Sequence, residues 1–431
     1  TVWTGPKPTI VVSSPRVAAD LLDRRSKIYS SRPRFVVMGE LATGGNALLF
    51  LPYGPKWLNQ RRLYHQALAG KAADTYRPIQ ELEAKRLCHD FLHLTSPDGW
   101  EKHIQRFAAS SVVAIAYGRR VDDVNVGFVQ SVIQRMEEVG RTNLPGKQIL
   151  DSYPFLQSLP EFLTPYKRTY RAARLEGHSF WMSLANTVKE RMEKGTAAPS
   201  FTRDLWERRG EIGINEEEFG LLTGGIFGAG EFETTAGTLI AFVLAMVTHP
   251  EAQSKAQEEL DRVVGTERSP TWDDEENLPY CRSLMKEVLR WRPVAVLGGT
   301  PHASTEDDVY EGFFIPKGST ILCNLWAIHH DEEYFPEPDK FDPERYLNGA
   351  ATAYPQKHGH SAFGWGRRIC PGQHVAERGV FIVILHLLHH FTLSTPKDRP
   401  APDIFAFTDG FNSRAEPFPL AVEVRGVGAE K

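Results

Sequence analysis

A helix that is apolar on nearly every face can exist only inside a protein, and residues 375–388 read as such a helix, following directly on Cys370-Pro371-Gly372. Such an element needs partners on all sides. The chain has 431 residues, more than one compact core normally holds, so either two lobes or one unusually large α-rich domain is expected, able to bury a large cofactor.

Most of the middle of the chain reads as helix. Asn215 and Glu218 form a capping-box pattern that opens a helix running to Thr248, where His249-Pro250 stops it. A second helix begins at Pro250, repeats Ala252, Ala256, Leu260 and Val263, and ends at Gly265. A third spans about 279–291 and is closed by Pro293. Extended segments are predicted at residues 8–12, 47–51, 310–323 and 405–424. No internal repeat or low-complexity linker divides the chain, which favours one integrated unit over residues 1–431, mainly α with small peripheral β-sheets.

Composition removes several classes. The 54 acidic and 50 basic residues are interspersed, for a net charge of −4, so nucleic acid is not an expected partner. Cys88, Cys281, Cys323 and Cys370 lie far apart without a CxxC pair, against a disulfide framework or zinc knuckle. No run of apolar residues is long enough to span a bilayer, and the chain starts at Thr1, so an N-terminal anchor absent from this chain is expected.

The chemistry concentrates in Phe363-Gly364-Trp365-Gly366-Arg367-Arg368-Ile369-Cys370-Pro371-Gly372. Two glycines let the backbone approach a flat ligand, and unpaired N–H groups at a helix start beside Cys370 favour its thiolate. Arg368 supplies a cation suited to a carboxylate. Upstream, Gly224, Gly225, Gly228 and Gly230 lie inside the long helix, each costing up to about 1 kcal/mol relative to alanine, which points to a local distortion or to close helix packing. Glu233 and Thr234 follow.

The cysteine segment resembles the haem-binding signature of the cytochrome P450 family, Phe-x-x-Gly-x-Arg-x-Cys-x-Gly, at every fixed position. Glu287-Val288-Leu289-Arg290 and residues 341–345 resemble that family's Glu-Arg-Arg set, and the likeness extends from Tyr29-Ser30-Ser31-Arg32-Pro33 onward, most of all to microsomal fungal members such as O-methylsterigmatocystin oxidoreductase-like enzymes. The resemblance implies the family's triangular helical prism and haem b, with Cys370 as the iron ligand, its thiolate favouring O–O cleavage. It implies that Phe363 borders the haem and that Arg368, Trp57, Arg61 and His302 serve its propionates, although His302 is also readable as an ordinary loop histidine. Glu287, Arg290 and Arg345 are implied to form a buried structural charge cluster, and Glu233 and Thr234 to deliver protons to dioxygen.

The implied reaction is monooxygenation of a mid-sized hydrophobic or aromatic, secondary-metabolite substrate, with electrons from NADPH through cytochrome P450 reductase, by a monomer on the cytoplasmic face of the endoplasmic reticulum. A reductase-independent isomerase or dehydratase and a non-catalytic haem sensor are the alternative readings. The pocket is expected between residues 34–51, the Phe227 face of the long helix, residues 294–299 and the Phe411 turn. One position departs from the family pattern: Glu231 stands where a glycine is usual, two residues before the acid. Either a bulge restores Gly230 to the oxygen groove, or the Glu231 carboxylate faces the pocket and suits a basic or N–H-bearing substrate group. His386 and His389 read as core or helix-end histidines, having no third ligand nearby.

Overall fold

The computed structural model describes residues 1–3, 5–142, 148–227, 232–347 and 353–426. Its principal helices are α1 (Pro55–Leu68), α2 (Arg77–Leu92), α3 (Glu101–Tyr117), α4 (Tyr166–Glu193), α5 (Glu216–Ile226), α6 (Phe232–Thr248), α7 (Pro250–Val263), α8 (Pro279–Trp291) and α9 (Gln373–His390). The all-apolar helix is central, as its composition requires: α2, α6, α7 and α8 all pack on α9, and every residue from Gly379 to His390 is buried. Proline opens α7 and α8, and Gly265, at φ +74°, follows α7 in the left-handed conformation that ends a helix cheaply only at glycine.

At the start of α5, the Asn215 side chain accepts from the Glu218 N–H while the Glu218 carboxylate accepts from the Asn215 N–H. Packing accounts for two of the helix glycines. A Cβ at Gly224 would enter the Trp181 ring of α4, and one at Gly225 would meet the Tyr64 hydroxyl of α1, which donates to the Leu222 carbonyl at 2.7 Å. Gly228, Gly230 and Glu231 lie outside the described residues, and with them the choice between a bulge and a pocket-facing carboxylate.

The strands are short and peripheral. β1 (Val2–Trp3), β2 (Pro8–Val12), β3 (His302–Ala303), β4 (Asp308–Tyr310), β5 (Phe313–Ile315), β6 (Thr320–Cys323), β7 (Phe391–Ser394) and β8 (Ala421–Val424) form a sheet ordered β1-β2-β6-β3 and two antiparallel pairs, β4-β5 and β7-β8. Two extended segments expected from the sequence are revised. Residues 47–51 form turns closed by Phe50 N–H and Leu51 N–H to the Ala47 carbonyl, because their side chains serve a cavity wall and no strand lies alongside to pair with. Of residues 405–424 only Ala421–Val424 is a strand, preceded by the isolated Phe407–Ala415 bridge.

Beneath α8 the charge cluster is assembled. Arg290 donates from Nε and Nη2 to the two oxygens of Glu287, each at 2.7 Å, Asp342 N–H adds a third bond at 3.0 Å, and Arg345 Nε lies 3.4 Å from the same carboxylate. His386 and His389 are buried in α9, and among the described residues no group of His, Cys, Asp and Glu side chains could hold a metal ion.

Candidate active site

The segment from Phe363 to Cys370 closes on itself, with the Cys370 N–H donating to the Phe363 carbonyl at 2.8 Å. Gly364 and Gly366 take φ of +80° and +52°, left-handed values that side chains rarely adopt. At Gly366 the packing is closer still: its N–H donates to Asp23 Oδ1 at 2.6 Å, and a Cβ there would enter the Leu22 carbonyl. Held this way, Phe363, Arg368 and Cys370 border a cavity of about 740 Å³. Pro371 and Gly372 form a turn, so α9 starts at Gln373, two residues later than a first-turn Pro371 would place it.

One flank of the cavity is basic. Arg368 donates to the Ser30 and Leu51 carbonyls, both at 2.7 Å, and its guanidinium lies 4.3 Å from the centre of the Trp57 ring. Arg32 donates to the carbonyls of Pro301 at 3.0 Å, Leu49 at 3.3 Å and Thr300. Burial lowers the pKa of Arg368 to about 8, with Arg32 and Arg61 adding repulsion, and lowers that of Arg32 to about 9. Arg61 is lowered for the same reason. No carboxylate pairs with any of the three among the described residues.

His302 also lines the cavity, with Nδ1 2.8 Å from the Tyr29 carbonyl; burial first and then Arg32 push its pKa to about 3. Trp57 and Arg61 are not on the cavity wall. Trp57 is buried against the Arg368 guanidinium, and Arg61 lies within electrostatic reach of Cys370.

Partly buried cations without counter-charges are costly, and two on the cavity wall, Arg368 and Arg32, with Arg61 behind them, call for an anionic occupant. A flat dicarboxylate fits: haem would be held through its propionates by this flank and through its iron by Cys370. The residues present therefore suit the group, and Arg32, to which the sequence reading assigned no role, belongs with Arg368. Arg32 carries no local signal, since it reaches the flank only because residues 29–32 run beside β3, through the Ser31–Ala303 bridge.

The opposite wall comes from α6. Glu233, Thr234, Thr235 and Thr238 line the cavity, and Asn412 Nδ2 donates to Glu233 Oε2 at 3.0 Å. Asn412 sits in a loop fastened by Ser413 N–H to the Val294 carbonyl and by Thr408 N–H to the Arg414 carbonyl, both at 2.8 Å. Ala47, Leu48 and Leu49, Val294 and Ala295, and Phe411 occupy the walls expected of them. Phe227 does not: it is fully buried in the main core, edge-on to Phe128. Thr300 and Asn412 are wall residues that the sequence reading missed.

A helical protein of this shape, with one cysteine on a glycine-shaped loop, acid-free arginines beside it and an acid-threonine pair across the cavity, has the layout of a haem-thiolate protein. The cytochrome P450 family model matches residues 1–422. Cytochrome P450 monooxygenase 58 of Postia placenta is 38% identical over 397 residues, covering 90% of this chain and 74% of that protein. Cytochrome P450 monooxygenase virE of Hypocrea virens is 36% identical, covering 97% and 77%. A zebra fish cytochrome P450 solved with progesterone superposes with a TM-score of 0.80 at 25% identity, covering 98% of this chain and 95% of that one. The chain belongs to the cytochrome P450 family and is a monooxygenase of that family, which implies haem, an organic substrate, dioxygen and a redox partner.

Proposed function

We propose that residues 1–431 form one catalytic unit that hydroxylates or otherwise oxidises a mid-sized, largely apolar secondary metabolite, with electrons from NADPH delivered by cytochrome P450 reductase. The observation that carries this reading is that Cys370 and the Glu233-Thr234 pair border the same cavity. Haem held by Cys370 supplies reductive activation of dioxygen. Arg368 and Arg32, with His302 beside them, would hold the propionates; Arg61 and Trp57 would back them. Phe363 borders the macrocycle. Glu233 carries protons inward from its carboxylate, and the Thr234 hydroxyl positions the last transfer. Leu48, Leu49, Ile133, Leu221, Val294 and Phe411 exclude water and orient an apolar substrate.

An isomerase or dehydratase that rearranges a peroxide needs no proton relay, so the acid-threonine pair favours oxygen activation. The test is turnover with reductase and NADPH under labelled dioxygen: one labelled oxygen atom in the product supports the monooxygenase, and turnover of a peroxide without NADPH supports the isomerase.

We further propose that the enzyme acts as a monomer on the cytoplasmic face of the endoplasmic reticulum. No single helix among the described residues is long and apolar enough to cross a membrane. Trp3, Phe155, Phe162, Leu163, Phe313 and Phe314 are all exposed apolar side chains, which suits peripheral contact with lipid. Flotation with anionic vesicles, and its loss when Phe155 and Phe162 are replaced by serine, tests that contact.

A further inference from the structure

The Glu233 carboxylate receives one side-chain hydrogen bond among the described residues, and it comes from Asn412, on a loop 179 positions away in sequence. The loop is not loosely placed. Ser413 N–H and Thr408 N–H are tied to the Val294 and Arg414 carbonyls, Ser413 Oγ donates to the Thr408 carbonyl at 3.0 Å, and Arg414 N–H donates to Thr408 Oγ1 at 3.2 Å. Asn412 thus arrives at Glu233 from a braced backbone. Among the described residues the bond falls on Oε2 alone.

The type of donor matters. A lysine or arginine at this place would hold Glu233 as an ion pair and oppose its protonation, whereas a neutral amide fixes the carboxylate's direction with far less opposition to the charge change that a relay must undergo. The other charged side chains on the cavity wall, apart from the propionate flank, are Asp409, Arg414, Arg292 and Glu377, and none of them bonds Glu233. We propose that Asn412 is a positioning residue that holds the Glu233 carboxylate for proton delivery across the cavity. The proposal rests on the reading of Glu233 as the relay acid.

Two measurements on the haem-loaded enzyme with reductase test it, using dioxygen and NADPH alone as probes. The first is hydrogen peroxide released per NADPH consumed. Dioxygen that receives two electrons and two protons leaves as peroxide, while continued proton delivery with two further electrons yields two waters, so a disturbed relay raises the peroxide fraction. Asn412→Ala should raise it about tenfold, the worth of a hydrogen bond to a charged group. In Asn412→Asp, two carboxylates at this separation share one proton. Acidification, which supplies that proton, should restore the low peroxide fraction, whereas damage to the loop would persist at every pH.

The second measurement is infrared. Asn412→Asp minus wild type should show a protonated-carboxyl band that is lost when Glu233→Gln is added. An unchanged peroxide fraction in Asn412→Ala, or a pH-independent defect in Asn412→Asp without that band, overturns the proposal. Glu233→Gln separates the layers: if it leaves the peroxide fraction unchanged, the relay reading fails and the proposal with it. If it raises the fraction while Asn412→Ala does not, only the positioning role falls.

Discussion

Glu287 and Arg290 form a bidentate ion pair in which neither side chain reaches solvent, and the remaining reach of the carboxylate is taken by the Asp342 N–H and by Arg345. Spaced three apart on α8, the two would ordinarily be a solvated pair of little consequence. Here both have given up water, and Arg290 also donates to the His329 carbonyl at 2.9 Å and to the Lys340 carbonyl at 3.4 Å, which ties α8 to the segment leading toward the cysteine loop. Glu287→Ala strands two buried cations, so a loss of about 3–5 kcal/mol is expected. Chemical denaturation and haem content should fall together; a stable, haem-replete variant would remove the cluster from its structural role.

Cys370 and Thr234 border one cavity but should fail in different ways. Cys370→Ser replaces sulfur with a hydroxyl that is a far poorer anionic donor, so the reduced carbonyl complex should lose the red-shifted Soret band of thiolate ligation. Thr234→Ala leaves the ligand intact. It should bind substrate as before, read from the Soret shift on titration, while product per NADPH falls; unchanged coupling would pass the role to Thr235, whose hydroxyl lies on the same wall, buried and without a hydrogen-bond partner among the described residues.

Acid should unfold this protein early, and His386 is one reason. Both its ring nitrogens are buried without hydrogen bonds among the described residues, and burial, followed by repulsion from His390, lowers its pKa to about 3. The unfolded chain protonates at the ordinary histidine value while the folded chain does not, so stability is fully present above about pH 6.5 and is lost as pH falls from there toward 3, at about 1.4 kcal/mol per pH unit per group. His360, also near 3, acts in the same direction. His386→Leu removes one titrating site and two unsatisfied atoms, so its denaturation midpoint should rise, and more at pH 5 than at pH 7.5. Equal shifts at both pH values would exclude the titration.

Gly224→Ala reverses the usual rule. On propensity alone alanine stabilises a helix interior by up to about 1 kcal/mol. The Trp181 ring occupies the space a methyl would need, so a loss of about 1–3 kcal/mol is expected instead. A thermal melt decides the sign, and in a Trp181→Ala background, itself less stable, adding Gly224→Ala should no longer lower the midpoint.

Much of this was legible in the chain itself because it is encoded by neighbours. The Asn215 capping box, the proline starts of α7 and α8, the Gly265 stop and the all-apolar α9 are local signals, and each appears where expected. The cysteine loop is local as well, since two left-handed glycines and one cysteine within eight residues leave the backbone few ways to close. Local apolarity misled at residues 47–51 and at Phe227, because an apolar side chain satisfies a cavity wall, a strand or a core equally well, and only the packed neighbours choose.

What tertiary structure alone decided is which distant groups share a charge or a hydrogen bond. Arg32 joins Arg368 across 336 positions, each in a recognisable segment but with nothing local to pair the two, and Asn412 meets Glu233 across 179. The physical reason is range: helix starts, stops and loop closures are settled by interactions within a few residues, while the cost of burying a guanidinium or orienting a carboxylate depends on whatever the completed fold places beside it.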